Sequence, residues 1–132
     1  MTNTNIFSLK MDARDHECDI QGVVNNAHYQ HYFEHARHRF LLHHNIDFAV
    51  LAKQGIYLMV AKIEIEYKAS LKAHDQFQIT VEPEKISRLK VCFLQKIYNT
   101  QTQALMAIAK TTVVTIGNDN KPLRNSPLDA LF

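Results

Sequence analysis

The chain reads as an α+β fold, one antiparallel five-stranded sheet wrapped around a single long helix. Three observations predict it. Apolar residues alternate with polar ones in five separated runs, the period of a half-buried strand. One stretch, from Asn25 to about His44, switches to helical spacing. No helical run separates the last four strand runs, so successive strands have to pair antiparallel.

The first run is IFSLKMDA (6–13), with Phe7, Leu9, Met11 and Ala13 at alternate positions. The helix comes after the polar stretch beyond it. Tyr29, Tyr32, Phe33, Ala36 and Phe40 fall on one stripe about 100° wide. Asn25 or Asn26 can cap its start, because an amide oxygen accepts from a first-turn N–H. NIDFAVLAKQG (45–55) reads as a short second helix, with Asp47 near its start and Gly55 ending it. The strand period then returns. Ile63, Ile65 and Tyr67 alternate with Lys62, Glu64, Glu66 and Lys68. Phe77, Ile79 and Val81 mark the next strand, and Leu89, Val91, Phe93, Gln95 and Ile97 the one after. ALMAIAKTTVVTI (104–116) is the last and is nearly apolar on both faces at its ends. GNDNKP (117–122) is a turn, and the final ten residues read as an irregular tail. One helix covers only one face of such a sheet well, so pairing with a second copy of the chain is expected.

Composition narrows the function classes. The 132 residues suggest one domain, 1–132, able to bury a core without covalent staples. Hydrophobic residues are 46% and charged residues 21%, as in ordinary globular proteins. A net charge of +2, with the basic residues scattered, argues against nucleic acid as the main partner. Two cysteines, Cys18 and Cys92, cannot make a secreted-type disulfide framework. MTNTNIFSLK lacks the charged and apolar regions of a signal peptide, and no run approaches the roughly 18 apolar residues of a membrane span. A soluble cytoplasmic protein is the expectation.

The candidate chemistry lies in DHECDIQGVVNNAHYQHYFEHAR (15–37). His28, His31, His35 and His38 form a helical ridge, and histidines at i,i+4 can share a metal. The wheel turns this ridge away from the aromatic stripe, toward solvent or a partner subunit, and no H-E-x-x-H spacing occurs. No metal is therefore expected. A Cys/His nucleophile from Cys18 and His16 is also disfavoured, since cysteine is most often a small buried residue. Asp12, Asp15, Glu17 and Asp19 crowd one segment and most are expected to be solvated; if 12–19 is extended, Glu17 and Asp19 share a face. Asp19 differs in its downstream neighbours. Ile20, Gln21 and Gly22 make a turn, and VVNN leads straight into the helix, whose free N–H groups form an anion site. Such a site can bind the oxygen of a polarised carbonyl, and a nearby carboxylate can attack that carbonyl or activate water against it. On spacing alone, ordinary helix capping explains the same residues.

The run DIQGVVNNAHYQHYFEHAR (19–37) resembles the signature of the 4-hydroxybenzoyl-CoA thioesterase-like hot-dog family: Asp, two residues, Gly, a Val pair, a polar pair, then a helix ending in F-E-x-A-R. VAKIEIEYKASLKAHDQFQI and KTTVVTIGNDNKPLRNSP resemble the family's central and last strands, so the likeness spans nearly the whole chain. It implies a hot-dog fold and hydrolysis of an acyl-CoA thioester without a cofactor. Asp19 falls on the family's catalytic carboxylate, Gly22 on the turn glycine, and Asn26 on the residue whose N–H contacts the thioester oxygen. Tyr29, Glu34 and Arg37 match helix positions of structural character, and Glu34 and Arg37 are spaced to pair. Asn25 and Asn26 stand where some members carry Tyr and His. That is closer to the fatty-acyl branch, which includes acyl-carrier-protein thioesterases. Those often carry His where Val23 stands and Asn where Gln21 stands, so Asp19 is left to act with little side-chain help, as nucleophile or as general base. The resemblance also implies a homodimer or homotetramer with sites between subunits. Asn25, Tyr29, Tyr67, Ser70 and Leu71 would then line the substrate, and Arg88 and Lys90 would meet the phosphates of CoA. The alternatives are an acyl-ACP thioesterase and a non-catalytic acyl-CoA-binding protein of the same fold.

Overall fold

A computed structural model describes residues 6–132 of the chain. The five strands are β1 (Phe7–Asp12), β2 (Tyr57–Tyr67), β3 (Gln76–Lys85), β4 (Lys90–Asn99) and β5 (Leu105–Ile116). The helices are α1 (Asn26–His43) and α2 (Phe48–Lys53). All strands pair antiparallel in the order β1-β3-β4-β5-β2. This is the expected α+β sheet and helix. β3, β4 and β5 succeed one another as hairpins, while β1 and β2 take the two edges and α1 carries the chain across between them.

The local chemistry accounts for each boundary. Asn25 caps α1, its side-chain oxygen accepting from the Ala27 N–H at 3.0 Å. Asp47 caps α2 in the same way, accepting from Ala49 at 3.0 Å. Gly55 ends that segment with φ of +78°, where a β-carbon would also strike the Asn118 side chain.

The core lies between α1 and one face of the sheet. Tyr29, Tyr32, Phe33, Ala36 and Phe40 are all buried there, as their spacing predicts. Phe77, Ile79 and Val81 of β3 and Val91, Phe93 and Ile97 of β4 meet them from the sheet. Burying one such side chain is worth about 1.5–3 kcal/mol, so this layer dominates the favourable side of folding. Gln95 of β4 faces the same layer and is fully buried.

Two expectations change. Residues 12–19 are not extended: Asp15–Glu17 form a 3₁₀ turn, which rotates Glu17 into the protein. The tail is not wholly irregular. Pro127–Leu131 form a second 3₁₀ turn capped by Ser126, and Leu128 is buried against the core. A single apolar side chain within reach of the core suffices to order so short a segment. The signal-peptide reading falls partly on residues 1–5, outside the described ones. No helix among the described residues is long and apolar enough to cross a membrane.

Candidate active site

The helix start is held by a small network in which backbone pairing does most of the positioning. Val24 donates its N–H to the Leu71 carbonyl at 2.8 Å, and Val23 bridges Lys72. Asn25 donates to the Glu17 carbonyl at 3.0 Å. The chain before α1 is thus clamped between the 3₁₀ turn and the segment that leads into β3.

Asp19 sits on the exposed loop this clamp closes. Its N–H donates to the Val23 carbonyl and its carbonyl accepts from Gly22, both at 2.9 Å. Its Oδ1 accepts from the Gln21 N–H at 2.8 Å, which orients the carboxylate over the turn. Gly22 has φ of +80° and open space where a β-carbon would stand, so the turn geometry alone calls for glycine. Asn25 spends its side chain on the cap. The Asn26 N–H has no partner among the described residues, which leaves an oriented donor at the positive end of the helix.

Tyr29, Tyr67, Ser70 and Leu71 gather at the same end. The Tyr29 hydroxyl accepts from the Leu71 N–H at 2.9 Å, and its ring meets Tyr67 edge-on at 5.2 Å. Tyr29 and Leu71 are buried, while Tyr67 and Ser70 are exposed beside them. Arg88 and Lys90 are elsewhere. Arg88 lies in the β3–β4 hairpin turn and Lys90 begins β4, at the other end of β3 from Gln76. A ten-residue strand spans roughly 33 Å. They therefore cannot reach an Asp19-centred site of their own chain, because antiparallel hairpins return the chain alternately to opposite ends of the sheet.

Glu17 is the residue that sequence reasoning did not single out from a group of carboxylates expected to be mostly solvated. It is only 4% exposed. It accepts from the Tyr32 hydroxyl at 2.6 Å, the Arg14 N–H at 2.8 Å and the Arg14 guanidinium at 3.0 Å. Burial pushes its pKa up, but the hydrogen bonds from Tyr32 and Arg14 outweigh that and hold it below the usual value. The available signal was Tyr32 itself, since a buried tyrosine hydroxyl needs a partner.

The other candidates stay out of the chemistry. The Cys18 thiol points back to the Arg14 carbonyl at 3.8 Å. Partial burial and then the carboxylates of Asp19, Glu17 and Asp15 push its pKa up, against thiolate formation. His28, His31 and His35 line a cleft of about 660 Å³ with His16 and Arg14. No group of three or more His, Cys, Asp or Glu among the described residues is set to hold a metal ion. His38 leaves the ridge, being half-buried and stacked on Phe48 at 4.2 Å. The expected Glu34–Arg37 pair does not form among the described residues. Arg37 turns inward and donates to Gln95 Oε1 at 3.3 Å.

Known proteins share this outline. An acyl-acyl carrier protein thioesterase, ATL2, of Arabidopsis thaliana is 31% identical over 88% of this chain and 62% of its own length. This chain thus spans about three-fifths of that plant relative. The acyl-CoA thioester hydrolase YbgC of Escherichia coli is 28% identical over 95% of this chain and 90% of its own. Among solved structures, a DHNA-CoA thioesterase from Staphylococcus aureus superposes with a TM-score of 0.83 at 29% identity, over 96% of this chain and 83% of that one. With its sheet and helix in the hot-dog arrangement and residues 13–130 matching the family model, the chain belongs to the Thioesterase-like superfamily.

Proposed function

We propose that the protein hydrolyses acyl-CoA thioesters, acting as one thioesterase domain, with Asp19 as the reacting carboxylate and the Asn26 N–H as oxyanion donor. The observation that carries this reading is Asp19 on a closed turn directly before a helix whose Asn26 N–H is unpaired among the described residues. Family membership and the activities by which YbgC and the DHNA-CoA thioesterase are named support it.

The thioester carbonyl oxygen takes the Asn26 N–H, and negative charge developing on that oxygen is stabilised by the helix end. Along one route an Asp19 oxygen attacks the carbonyl carbon, the C–S bond breaks, and CoA leaves as the thiol after protonation. Water then cleaves the mixed anhydride and restores Asp19. Along the other route Asp19 takes a proton from water as it attacks the carbonyl, and that proton passes to the leaving sulfur. Either balances as thioester plus water giving acid plus thiol. Asn25 sets the helix start, and Tyr29 holds the segment at Leu71 beside it. Tyr67 and Ser70 border the acyl group.

Two copies complete the site in this reading. β2 lies at one edge of the sheet and exposes Tyr57, Met59, Val60 and Tyr67. Pairing of two β2 edges joins the sheets and sets each hairpin end beside the other chain's helix start, which would let Arg88 and Lys90 serve a neighbouring site. A cytoplasmic location accords with a CoA substrate.

Thiol release from a panel of short, long and aromatic acyl-CoAs tests the reading. Wild type turns over at least one of them. Asp19→Ala and Asp19→Asn lose at least about 100-fold in kcat with unchanged circular dichroism and oligomeric state. Near-wild-type turnover by Asp19→Ala would end the proposal. A second reading, with an acyl carrier protein in place of CoA, is favoured by the likeness to ATL2. Matched acyl-ACP and acyl-CoA substrates separate the two.

A further inference from the structure

The chain holds a second pocket, distinct from the catalytic loop, with a volume of about 240 Å³. It lies between α1, α2 and the β4–β5–β2 side of the sheet. Leu41, Phe48, Leu58, Phe93 and Leu128 supply apolar walls, and Arg37, His38 and Glu34 supply the polar ones.

Arg37 is the unusual member. It is only 6% exposed, yet no carboxylate among the described residues lies within ion-pair distance. A guanidinium carries five N–H donors. Among the described residues its side chain makes one hydrogen bond, from Nη1 to Gln95 Oε1. Gln95 is itself fully buried and fixed from its other side, donating to the Phe33 carbonyl at 2.8 Å. The fork is therefore held in place by the sheet while most of its donors stay unused. Among the described residues only Thr111 Oγ1 is a buried side-chain polar atom without a partner, so the free Arg37 donors open onto the pocket, where a carboxylate can meet them. Burial and then Arg37 push the His38 pKa down, which leaves Arg37 as the pocket's cation at neutral pH.

We propose that this pocket binds a small carboxylic acid with an apolar tail, its carboxylate meeting the Arg37 fork and its tail packing between Phe48, Leu58 and Phe93. A planar carboxylate matches a guanidinium through two parallel hydrogen bonds. The volume holds roughly eight groups of water size, taking about 30 Å³ for each. That matches an acid of about the size of octanoate. Glu34 lines the same pocket, is exposed, and opposes the incoming anion. The site does not depend on the thioesterase reading, although an acid is what a thioester hydrolase releases. It would serve as a product or effector site some three turns along α1 from Asn26.

Titration of the full chain with octanoate and with octan-1-ol, followed by calorimetry and amide NMR shifts, tests this. Octanoate binds one per chain, at least tenfold tighter than the alcohol, and shifts Leu41, Phe93 and Val113 rather than Gln21 and Gly22. Glu34→Gln tightens octanoate several-fold. Arg37→Met weakens it at least tenfold and leaves the alcohol unchanged. Should Arg37→Met fail to fold, Leu58→Trp fills the pocket with Arg37 intact and abolishes octanoate binding. Asp19→Ala binds octanoate as the wild type does, which separates this pocket from the catalytic loop. Equal affinity for acid and alcohol, or wild-type affinity in Leu58→Trp, overturns the proposal. So does absence of octanoate binding together with dimer loss in Arg37→Met, which makes the pocket a subunit contact.

Discussion

Glu17 shows how one side chain sets the geometry of the loop beside it. Its carboxylate ties Tyr32 of α1 to Arg14, and its carbonyl accepts from Asn25 at the helix start. Tyr32→Phe removes a hydrogen bond to a buried charged group and should cost about 2 kcal/mol in urea unfolding at pH 7. The pH dependence comes from the lowered pKa of Glu17 in the folded state. The unfolded chain binds the proton more readily, so stability rises with pH through this window. The contribution is full above the unfolded value near 4.5 and is lost as pH falls through the lower folded value. Glu17→Gln should therefore be less stable than wild type at pH 7, with the gap narrowing below about pH 4. A gap that stays constant from pH 7 to pH 3 would contradict this. Glu17 escaped the sequence reading because its partner lies 15 residues away on another element.

At the scale of elements, the join between loop and helix is a turn and then a cap. Gly22→Ala forces a β-carbon into a left-handed conformation and should cost about 1–2 kcal/mol, since no steric contact relieves or worsens it. Asn25→Ala removes the cap of α1 and should cost about 1 kcal/mol. Thermal unfolding measures both. Asn25→Ala should also lower kcat more than Gly22→Ala does, because the cap fixes the first turn that bears the Asn26 N–H. Most of this was legible locally. α1 with a cap at Asn25 or Asn26, α2 with Asp47 near its start, and the alternation of β3 and β4 all came from neighbouring residues; the structure chose Asn25 and made Asp47 a cap. The two 3₁₀ turns did not, because runs of three to five residues are too short to show a period.

For the whole molecule, the edge strand is the feature that calls for association. β2 pairs β5 on one side, with a bulge between Val60 and Lys62, and exposes apolar side chains at Tyr57, Met59, Val60 and Tyr67, with Lys62, Glu64 and Glu66 exposed between them. Such an edge is a template for another strand, which charge at the edge disfavours. Sedimentation should find the wild type as a dimer or larger. Met59→Lys, which puts a charge on an exposed edge position, should weaken that association at least tenfold. A monomeric wild type with full activity would rule out a shared site.

The division between sequence and tertiary structure runs along distance in the chain. The sequence by itself determined the strand and helix periods, the turn at Gly22, a cap at Asn25 or Asn26 and the Asp19-to-Asn26 spacing, since each rests on residues within one turn or one strand. Only the tertiary structure decided that Glu17 is buried, that Arg37 leaves Glu34 for Gln95 across 58 residues, and that Arg88 and Lys90 stand at the far end of the sheet. Those outcomes depend on which side chains of separate elements meet when α1 packs on the sheet. Burial then revalues each charge by the partners it finds there.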